Sequence, residues 1–175
     1  LEKLLRREDL PAAAAGELLR ALTDPALNPA VAGAILTALR AKGETAEELR
    51  GFAEAMRSLA RPVRLPTGLA AVDIVGTGGD GSGSLNISTG TALLAAACGV
   101  PVVKHGNRAV SSRSGSADVL ERLGIPLAGD AAAALACLAR CNFCFLFAPE
   151  FHPALRTLAP VRRALGVRTI FNVLG

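Results

Sequence analysis

The chain has 175 residues, of which 51% are apolar and 19% are charged. This is enough apolar material for one large or two small domains, and it excludes an intrinsically disordered chain. Six Phe residues without Trp or Tyr do not favour single-stranded nucleic-acid binding through base stacking. No apolar run reaches the roughly 18 to 20 residues that a membrane-spanning helix needs. Four cysteines are too few for a disulfide scaffold, which favours a cytoplasmic location.

The net charge of +4 is concentrated in the last third of the chain. Residues 1–65 carry 10 basic and 9 acidic residues, and residues 66–103 carry no basic residue and two acidic ones. Residues 104–175 carry 9 basic and 4 acidic residues. Because these charges are dispersed rather than clustered, a small polyanionic substrate or ordinary solvated faces fit them as well as nucleic acid does.

The first 60 residues are predicted to form helices with clear start signals. Asn28 followed by Pro29 predicts an N-cap with proline in the first turn. Thr45 and Glu48 have the spacing of a capping box that opens the next helix.

Residues 61–68 contain two prolines and a glycine, which neither a helix nor a central strand tolerates. The predicted domains are therefore a helical domain, residues 1–65, and an α/β domain, residues 66–175.

The α/β domain is predicted from short apolar strands that alternate with helices. Strands are predicted at residues 72–75, 100–103, 142–147 and 167–171. Helices are predicted at residues 89–98, 118–123, 131–141 and 153–165. The fold class is α/β, a small N-terminal helical domain followed by a largely parallel sheet. A parallel sheet needs neighbours on both sides, so we expect this sheet to be incomplete in this chain.

The segment Gly76-Thr77-Gly78-Gly79-Asp80-Gly81 follows the first predicted strand and matches the dinucleotide pattern G-x-G-x-x-G. The helix begins late and no acidic residue follows at the expected distance, so NAD binding is not favoured. No Lys-Ser or Lys-Thr follows the glycines, which excludes a P-loop. Bare backbone N–H groups and the helix start at residues 86–89 instead suit a phosphate, although a simple glycine turn explains the segment as well.

The segment Lys104-His105-Gly106-Asn107-Arg108 follows the second predicted strand. Ligands of open parallel sheets bind at the carboxyl ends of the strands, so these polar side chains are candidate ligand contacts. Residues 111–116 continue with four serines and one glycine, and the flexible hydroxyls are suited to closing over phosphates. The alternative is a solvated basic loop followed by a serine helix cap.

Together these segments resemble the anthranilate phosphoribosyltransferase family. The resemblance includes residues 76–81, 86–89, 104–111 and 114–120, then Phe151-His152-Pro153-Ala154 and Val161-Arg162-Arg163 with the residues through Asn172. It implies transfer of phosphoribose from phosphoribosyl pyrophosphate (PRPP) to the amine of anthranilate, a step of tryptophan biosynthesis.

The resemblance also implies the substrate contacts. PRPP is expected to contact Gly76, Gly79, Asp80, Ser84, Asn86, Ile87, Ser88, Thr89, Lys104, His105, Gly106, Asn107, Arg108, Ala109, Val110, Ser111, Ser112 and Ser116. Anthranilate is expected to contact Gly76, His105, Asn107 and Arg162.

The implied cofactor is Mg²⁺, with one contact at Ser88. The resemblance places the Asp-Glu pair that would hold the metals in a second half, so this chain looks like the amino-terminal half of the enzyme. We expect residues 1–175 alone to bind phosphate without turning over. Cys141 and Cys144 are interpreted as buried thiols rather than a zinc site.

The predicted chemistry needs no catalytic side chain, since the aromatic amine is already nucleophilic and the site has to align the reactants and neutralise phosphate oxygens. Two alternatives stay open: a non-catalytic nucleic-acid-binding relative and a pyrimidine nucleoside phosphorylase. The expected partners are the two substrates and a second copy of the chain, which would dimerise through the helical domain. A membrane partner is not expected.

Overall fold

A computed structural model describes residues 1–76, 85–109 and 114–174. Two compact units are present: Leu1–Ala60 with His152–Gly175, here called the helical unit, and Arg61–Phe151, here called the α/β unit. The predicted boundary between residues 65 and 66 lies near the first division. The grouping of the last 24 residues with the first helices was not predicted.

The helical unit contains five α-helices and two short 3-10 helices among its described residues. The α-helices are α1 (Glu2–Leu5), α2 (Ala12–Leu22), α3 (Pro29–Lys42), α4 (Ala46–Leu59) and α9 (Ala159–Leu165), and the 3-10 helices are Pro153–Leu158 and Ile170–Asn172. The α/β unit contains α5 (Ile87–Ala97), β1 (Val102–Gly106), α6 (Ser116–Arg122), α7 (Ala131–Cys141), β2 (Phe143–Phe147) and α8 (Ala148–Phe151).

The predicted start signals of the first helices are confirmed. The Asn28 side chain accepts a hydrogen bond from the Ala30 N–H at 2.8 Å, and Pro29 occupies the first turn of α3. Thr45 and Glu48 form the reciprocal capping box of α4. These local bonds satisfy backbone donors that the helix itself leaves unpaired.

The core of the helical unit joins the N-terminal helices to the C-terminal segment. Leu19, Leu36 and Phe52 are completely buried. The Phe52 ring meets the Phe171 ring edge-on, with centroids 6.0 Å apart. Phe171 therefore belongs to this core rather than to a sheet.

A buried ion pair lies next to this core. The Lys42 ammonium contacts Glu48 at 2.9 Å and Asp9 at 2.7 Å, and the Glu48 carboxylate also accepts hydrogen bonds from the N–H groups of Leu10 and Thr45. Burial alone would raise the pKa of Glu48, but these hydrogen bonds together hold it below its ordinary value of 4.5. These contacts join the loop before α2 to the last turn of α3 and to the first turn of α4.

We expect Glu48→Gln to reduce the unfolding free energy at pH 7 by about 2 kcal/mol, because a buried charged hydrogen-bond network loses its acceptor. Since the folded pKa of Glu48 is lowered, its contribution is present above pH 4.5 and is lost as the pH falls through the folded value. Denaturant titrations at pH 7 and at pH 3 should therefore show a smaller difference from wild type at the lower pH. Glu47→Gln, in an exposed pair with Arg50, is the control and should change little at pH 7.

The sheet of the α/β unit is parallel and open. β1 pairs with β2 in parallel, with Val102 opposite Phe143 and Gly106 opposite Phe147. Val72 forms a parallel bridge with Val102 on the other side of β1, and Ala128 forms one with Leu146. The predicted order of strands and helices thus brings residues 72, 102 and 143 side by side.

Two predicted strands are wrong. Residues 72–75 form only the single bridge at Val72. Residues 167–171 form no strand: Ile170 and Phe171 start a 3-10 helix, whose first turn is capped by a hydrogen bond from the Thr169 N–H to the Asn172 side chain. Both apolar residues are buried in the helical unit, so their packing in its core, rather than a strand, accounts for the apolar character of this segment.

Among the described residues, no helix combines the length and apolar character that crossing a bilayer requires.

Candidate functional site

β1 holds a buried lysine at its third residue, because the strand extends to Gly106 rather than ending at residue 103 as predicted. Lys104 is only 1% exposed, and its ammonium donates a hydrogen bond to the Ile74 carbonyl at 2.5 Å. Burial lowers the pKa of Lys104, while the nearby Asp73 carboxylate partly opposes this effect. No other acceptor for the ammonium lies among the described residues, which leaves it donors for an anionic ligand.

His105 follows on the same strand and is fixed through its backbone. Its N–H donates to the Asp73 carboxylate at 3.2 Å. Burial lowers the pKa of the imidazole, Asp73 raises it, and Lys104 lowers it further. The net lowering favours the neutral imidazole at physiological pH, which suits a pocket wall better than a cationic phosphate ligand.

The start of α5 lies beside the segment that ends at Gly76. A Cβ built on Gly76 would lie 3.7 Å from the Ser88 hydroxyl, so this part of the backbone contacts the first turn of the helix. The Thr89 side chain is buried, and its hydroxyl has no hydrogen-bond partner among the described residues. A buried, unpaired hydroxyl in a helix start is suited to an anionic ligand, because helix N-termini offer free N–H groups.

The loop after β1 is held by hydrogen bonds within the loop and to the start of α6. Asn107 is exposed; its side-chain oxygen accepts from the Arg108 N–H at 2.8 Å, and its carbonyl accepts from the Ala117 N–H at 3.2 Å. The Asn86 side chain donates to the Ser114 carbonyl at 3.1 Å, which joins the start of α5 to the segment before α6. Asn86 is thus engaged within the protein, on the helix start predicted to contact PRPP.

Arg108 is engaged by acidic side chains. Its guanidinium contacts Asp118 at 3.0 Å and Glu121 at 2.6 and 2.8 Å, and it lies 5.5 Å from the centre of the Phe147 ring. Hydrogen bonds to Glu121 and then to Asp118 raise the pKa of Arg108. The sequence pattern assigned this side chain to a phosphate; in the structure its donors point to carboxylates of α6.

Some of the remaining predicted PRPP contacts of the α/β unit are described by the structure, and the others lie outside the described residues. Ile87 is exposed, Gly106 ends β1 beside Phe145, Ala109 follows Arg108, and Ser116 begins α6. The predictions at Gly79, Asp80, Ser84, Val110, Ser111 and Ser112 lie outside the described residues.

Arg162 belongs to the helical unit. It lies in α9, half-buried, with its guanidinium carbon 5.0 Å from the centre of the Phe171 ring. Burial lowers its pKa, and no carboxylate of the described residues pairs with it. A half-buried guanidinium that stacks on an aromatic ring and has no acidic partner is a candidate receptor for a ligand carboxylate.

The described residues do not form a complete metal site. They contain no group of three or more His, Cys, Asp or Glu side chains that could hold a metal ion. Ser88 offers one hydroxyl, whereas Mg²⁺ needs several oxygen ligands. Ser88 can therefore supply one ligand to a metal ion whose remaining ligands come from other groups. Cys144 is buried, which raises its pKa to about 11, and Cys141 is exposed, so the prediction of buried thiols holds for Cys144 alone.

Sequence reasoning missed Asp73 and Asp118. Asp118 is the third residue of α6, and an acidic residue in the first turn of a helix that accepts from the N-cap N–H, as Asp118 does from Gly115, was the available signal. Asp73 carried no such local signal, because its contact with His105 depends on the pairing of Val72 with β1.

The residues that precede the glycine segment contact β1, whereas residues 77–81 of the glycine segment itself lie outside the described residues. β1 is joined to the segment after Val72 by the contact of Lys104 with Ile74, and the start of α5 is joined to the loop by Asn86. The described residues thus form an α/β protein with an open parallel sheet and an added helical unit.

Family comparisons agree with this class. The helical bundle domain of the glycosyl transferase family matches residues 1–60, and the a/b domain of that family matches residues 68–175. The chain therefore belongs to the glycosyl transferase family.

Two similar curated proteins are both named anthranilate phosphoribosyltransferase. The anthranilate phosphoribosyltransferase of Methylobacterium radiotolerans is 58% identical over 149 residues, which are 85% of this chain and 43% of the relative. That of Thermomicrobium roseum is 48% identical over all of this chain and 50% of its own length. The chain thus spans about half the length of the curated relatives it matches.

Solved structures give the same result. The anthranilate phosphoribosyltransferase of Thermus thermophilus matches with a TM-score of 0.89 and 49% identity, over 99% of this chain and 53% of the other. The Saccharomyces cerevisiae enzyme, in complex with PRPP and Mg, matches with a TM-score of 0.88 and 31% identity, over 99% and 52%.

Proposed function

We propose that this chain is part of an anthranilate phosphoribosyltransferase, which transfers phosphoribose from PRPP to the amine of anthranilate in tryptophan biosynthesis. The observation that carries the proposal is the contact of the buried Lys104 ammonium with Ile74, two residues before the glycine segment. This contact places a cation two residues from Gly76, at which the glycine segment that the sequence pattern assigns to PRPP begins. The similar proteins named above support the same activity.

In this proposal the α/β unit binds PRPP. The Lys104 ammonium and the N–H groups at the start of α5 neutralise and orient phosphate oxygens. Departure of pyrophosphate builds negative charge on the leaving group, so these fixed donors stabilise the transition state more than the ground state. The free Thr89 hydroxyl supplies a further donor.

Anthranilate is assigned to Arg162, Asn107, His105 and Gly76. The Arg162 fork matches a carboxylate in a bidentate manner, and a neutral His105 serves as a wall and hydrogen-bonding group. The aromatic amine attacks the anomeric carbon and later loses its proton. No side chain has to act as a strong base, because an arylamine is nucleophilic in its neutral form.

Mg²⁺ is part of the proposal as a partner of the substrate. When bound, it would neutralise the pyrophosphate charge, with Ser88 supplying one oxygen ligand. The single hydroxyl at Ser88 is consistent with this shared mode.

The function is tested on the complete gene product. Anthranilate fluorescence should fall when PRPP and Mg²⁺ are added, and pyrophosphate should appear in equal amount. No product should form with a pyrimidine nucleoside and phosphate. The reverse pattern would assign the protein to the nucleoside phosphorylases, and no reaction in either assay would refute a transferase role.

We expect Arg162→Lys to raise the KM for anthranilate by about tenfold or more, because lysine keeps the charge but lacks the bidentate fork. The KM for PRPP should change less than threefold. Arg163→Lys, the exposed neighbour on α9, is the matched control and should behave as wild type. Equal losses in both variants would contradict the assignment of the carboxylate to Arg162.

A homodimer formed through the helical unit and a cytoplasmic location complete the proposal. An apolar groove lined by Leu1, Leu4, Leu10 and Leu18 on the helical unit supports the dimer. Four cysteines without a disulfide support the reducing compartment.

A further inference from the structure

The backbone on both sides of residues 110–113 is tied to one carboxylate. The Asp118 oxygen Oδ2 accepts hydrogen bonds from the Ala109 N–H at 3.1 Å and from the Gly115 N–H at 2.7 Å. One side chain on α6 therefore holds the backbone of Ala109 and the backbone of Gly115 together.

These two backbone stretches lie in direct contact. A Cβ on Gly115 would lie 2.2 Å from the Ala109 nitrogen and 2.4 Å from the Arg108 carbonyl carbon. No side chain other than hydrogen fits there, so the close approach requires glycine. Asp118 is placed to hold this approach together.

The other oxygen of Asp118 binds Arg108. The Arg108 guanidinium bridges Asp118 and Glu121 and covers the Phe147 ring at the end of β2. Hydrogen bonds from Gly115 and then Ala109, with the Arg108 charge, lower the pKa of Asp118, so the carboxylate is ionised at neutral pH.

This cluster is connected to two of the proposed substrate contacts of the α/β unit, Asn107 and Asn86. The Ala117 N–H, next to Asp118, donates to the Asn107 carbonyl, and the Ser114 carbonyl, next to Gly115, accepts from Asn86. A change in the position of Asp118 would therefore shift the Asn107 backbone and the contact made by Asn86. These are local shifts that leave the sheet pairing of β1 intact.

We propose that Asp118 is a positioning residue of the phosphoribosyl transfer site, and that Arg108 acts through Asp118 and Glu121 rather than by touching a phosphate. The proposal rests on the proposed function. It also reassigns Arg108, whose donors would otherwise have to leave two carboxylates to reach the substrate.

The first test compares Asp118→Asn with Asp130→Asn. Asp130 also caps a helix of the α/β unit, at the start of α7, and asparagine caps equally well there. In Asp118→Asn the new NH₂ group accepts no hydrogen bond, and the single amide oxygen cannot replace both carboxylate oxygens that now accept from Arg108 and from the backbone. Amide exchange at Ala109 and Gly115 should accelerate about tenfold or more, while Val103, bonded to Val72, should be unchanged.

The second test is kinetic and uses the complete gene product. Asp118→Asn should raise the KM for PRPP about tenfold with kcat within threefold, since a charged hydrogen bond that orients the loop is lost. Asp130→Asn should match wild type. In a double-mutant cycle, Arg108→Ala and Asp118→Asn should be non-additive; additive effects would mean that Arg108 binds phosphate by itself and would overturn the proposal.

The outcomes separate the two proposals. Unchanged exchange at Ala109 and Gly115 would show that Asp118 does not hold them, whatever the activity. Faster exchange with an unchanged KM would reduce Asp118 to a structural role and overturn its positioning role. A wild-type protein that forms no phosphoribosylanthranilate would refute the proposed function, and the exchange rates would still decide whether Asp118 holds the loop ends.

Discussion

Replacing Gly51 with alanine is expected to destabilise the helical unit by at least about 3 kcal/mol, at the upper end of the cost of overpacking a core. A Cβ at this position of α4 would lie 2.1 Å from the Ala12 carbonyl oxygen and 2.9 Å from its carbon. Both atoms belong to the backbone of α2, so no rotamer change relieves the clash. The helices would have to separate where Ala15, Gly16 and Ala55 pack closely.

Gly33→Ala is the matched control for Gly51→Ala. Gly33 lies inside α3 of the same unit, and its Cβ would meet Leu165 and Val161 only at 3.8 Å, an ordinary contact distance. Alanine also has the higher helix propensity, so this variant should be neutral or more stable by up to about 1 kcal/mol. Denaturant titration followed by circular dichroism compares the two. Equal stability of both variants would mean that α2 and α4 do not pack this closely.

The first helices were predictable because their signals are local. Asn28 with Pro29, and Thr45 with Glu48, satisfy backbone donors of their own helix, and the structure confirms each contact. The parallel pairing of β1 was also predictable from the alternation of strands and helices, but its carboxyl end was predicted at residue 103 and lies at Gly106.

The failures come from contacts between distant parts of the chain. Residues 167–171 have the composition of a strand, but Phe171 finds its partner in Phe52, 119 positions earlier in the sequence, and no periodicity reveals that. Arg108 looked like a phosphate ligand because a loop arginine at a strand end is suited to that role. Its carboxylate partners Asp118 and Glu121 lie on a helix whose position depends on the packing of the whole unit.

Lys104→Met is expected to weaken PRPP binding by at least about 30-fold, because removing one partner of a buried, hydrogen-bonded charge pair costs about 2–5 kcal/mol. The side chain is 1% exposed, and methionine has a similar length and fills a similar space. Lys3→Met, at an exposed position of α1, controls for the loss of one positive charge. Calorimetric titration of the complete gene product with PRPP and Mg²⁺ measures the effect, and equal affinity of the two variants would contradict the site.

The same lysine predicts the pH dependence of stability. Because burial lowers the folded pKa of Lys104 below 10.5, the unfolded chain keeps this proton to higher pH than the folded chain does. The cost of burying the ammonium is fully present below the folded pKa and is relieved as the pH rises from that value toward 10.5. Wild type should therefore gain stability relative to Lys104→Met over this range in parallel denaturant titrations. A difference that stays constant would mean that the ammonium is solvated in the folded protein, and a solvated ammonium could not supply the buried charge that PRPP binding requires.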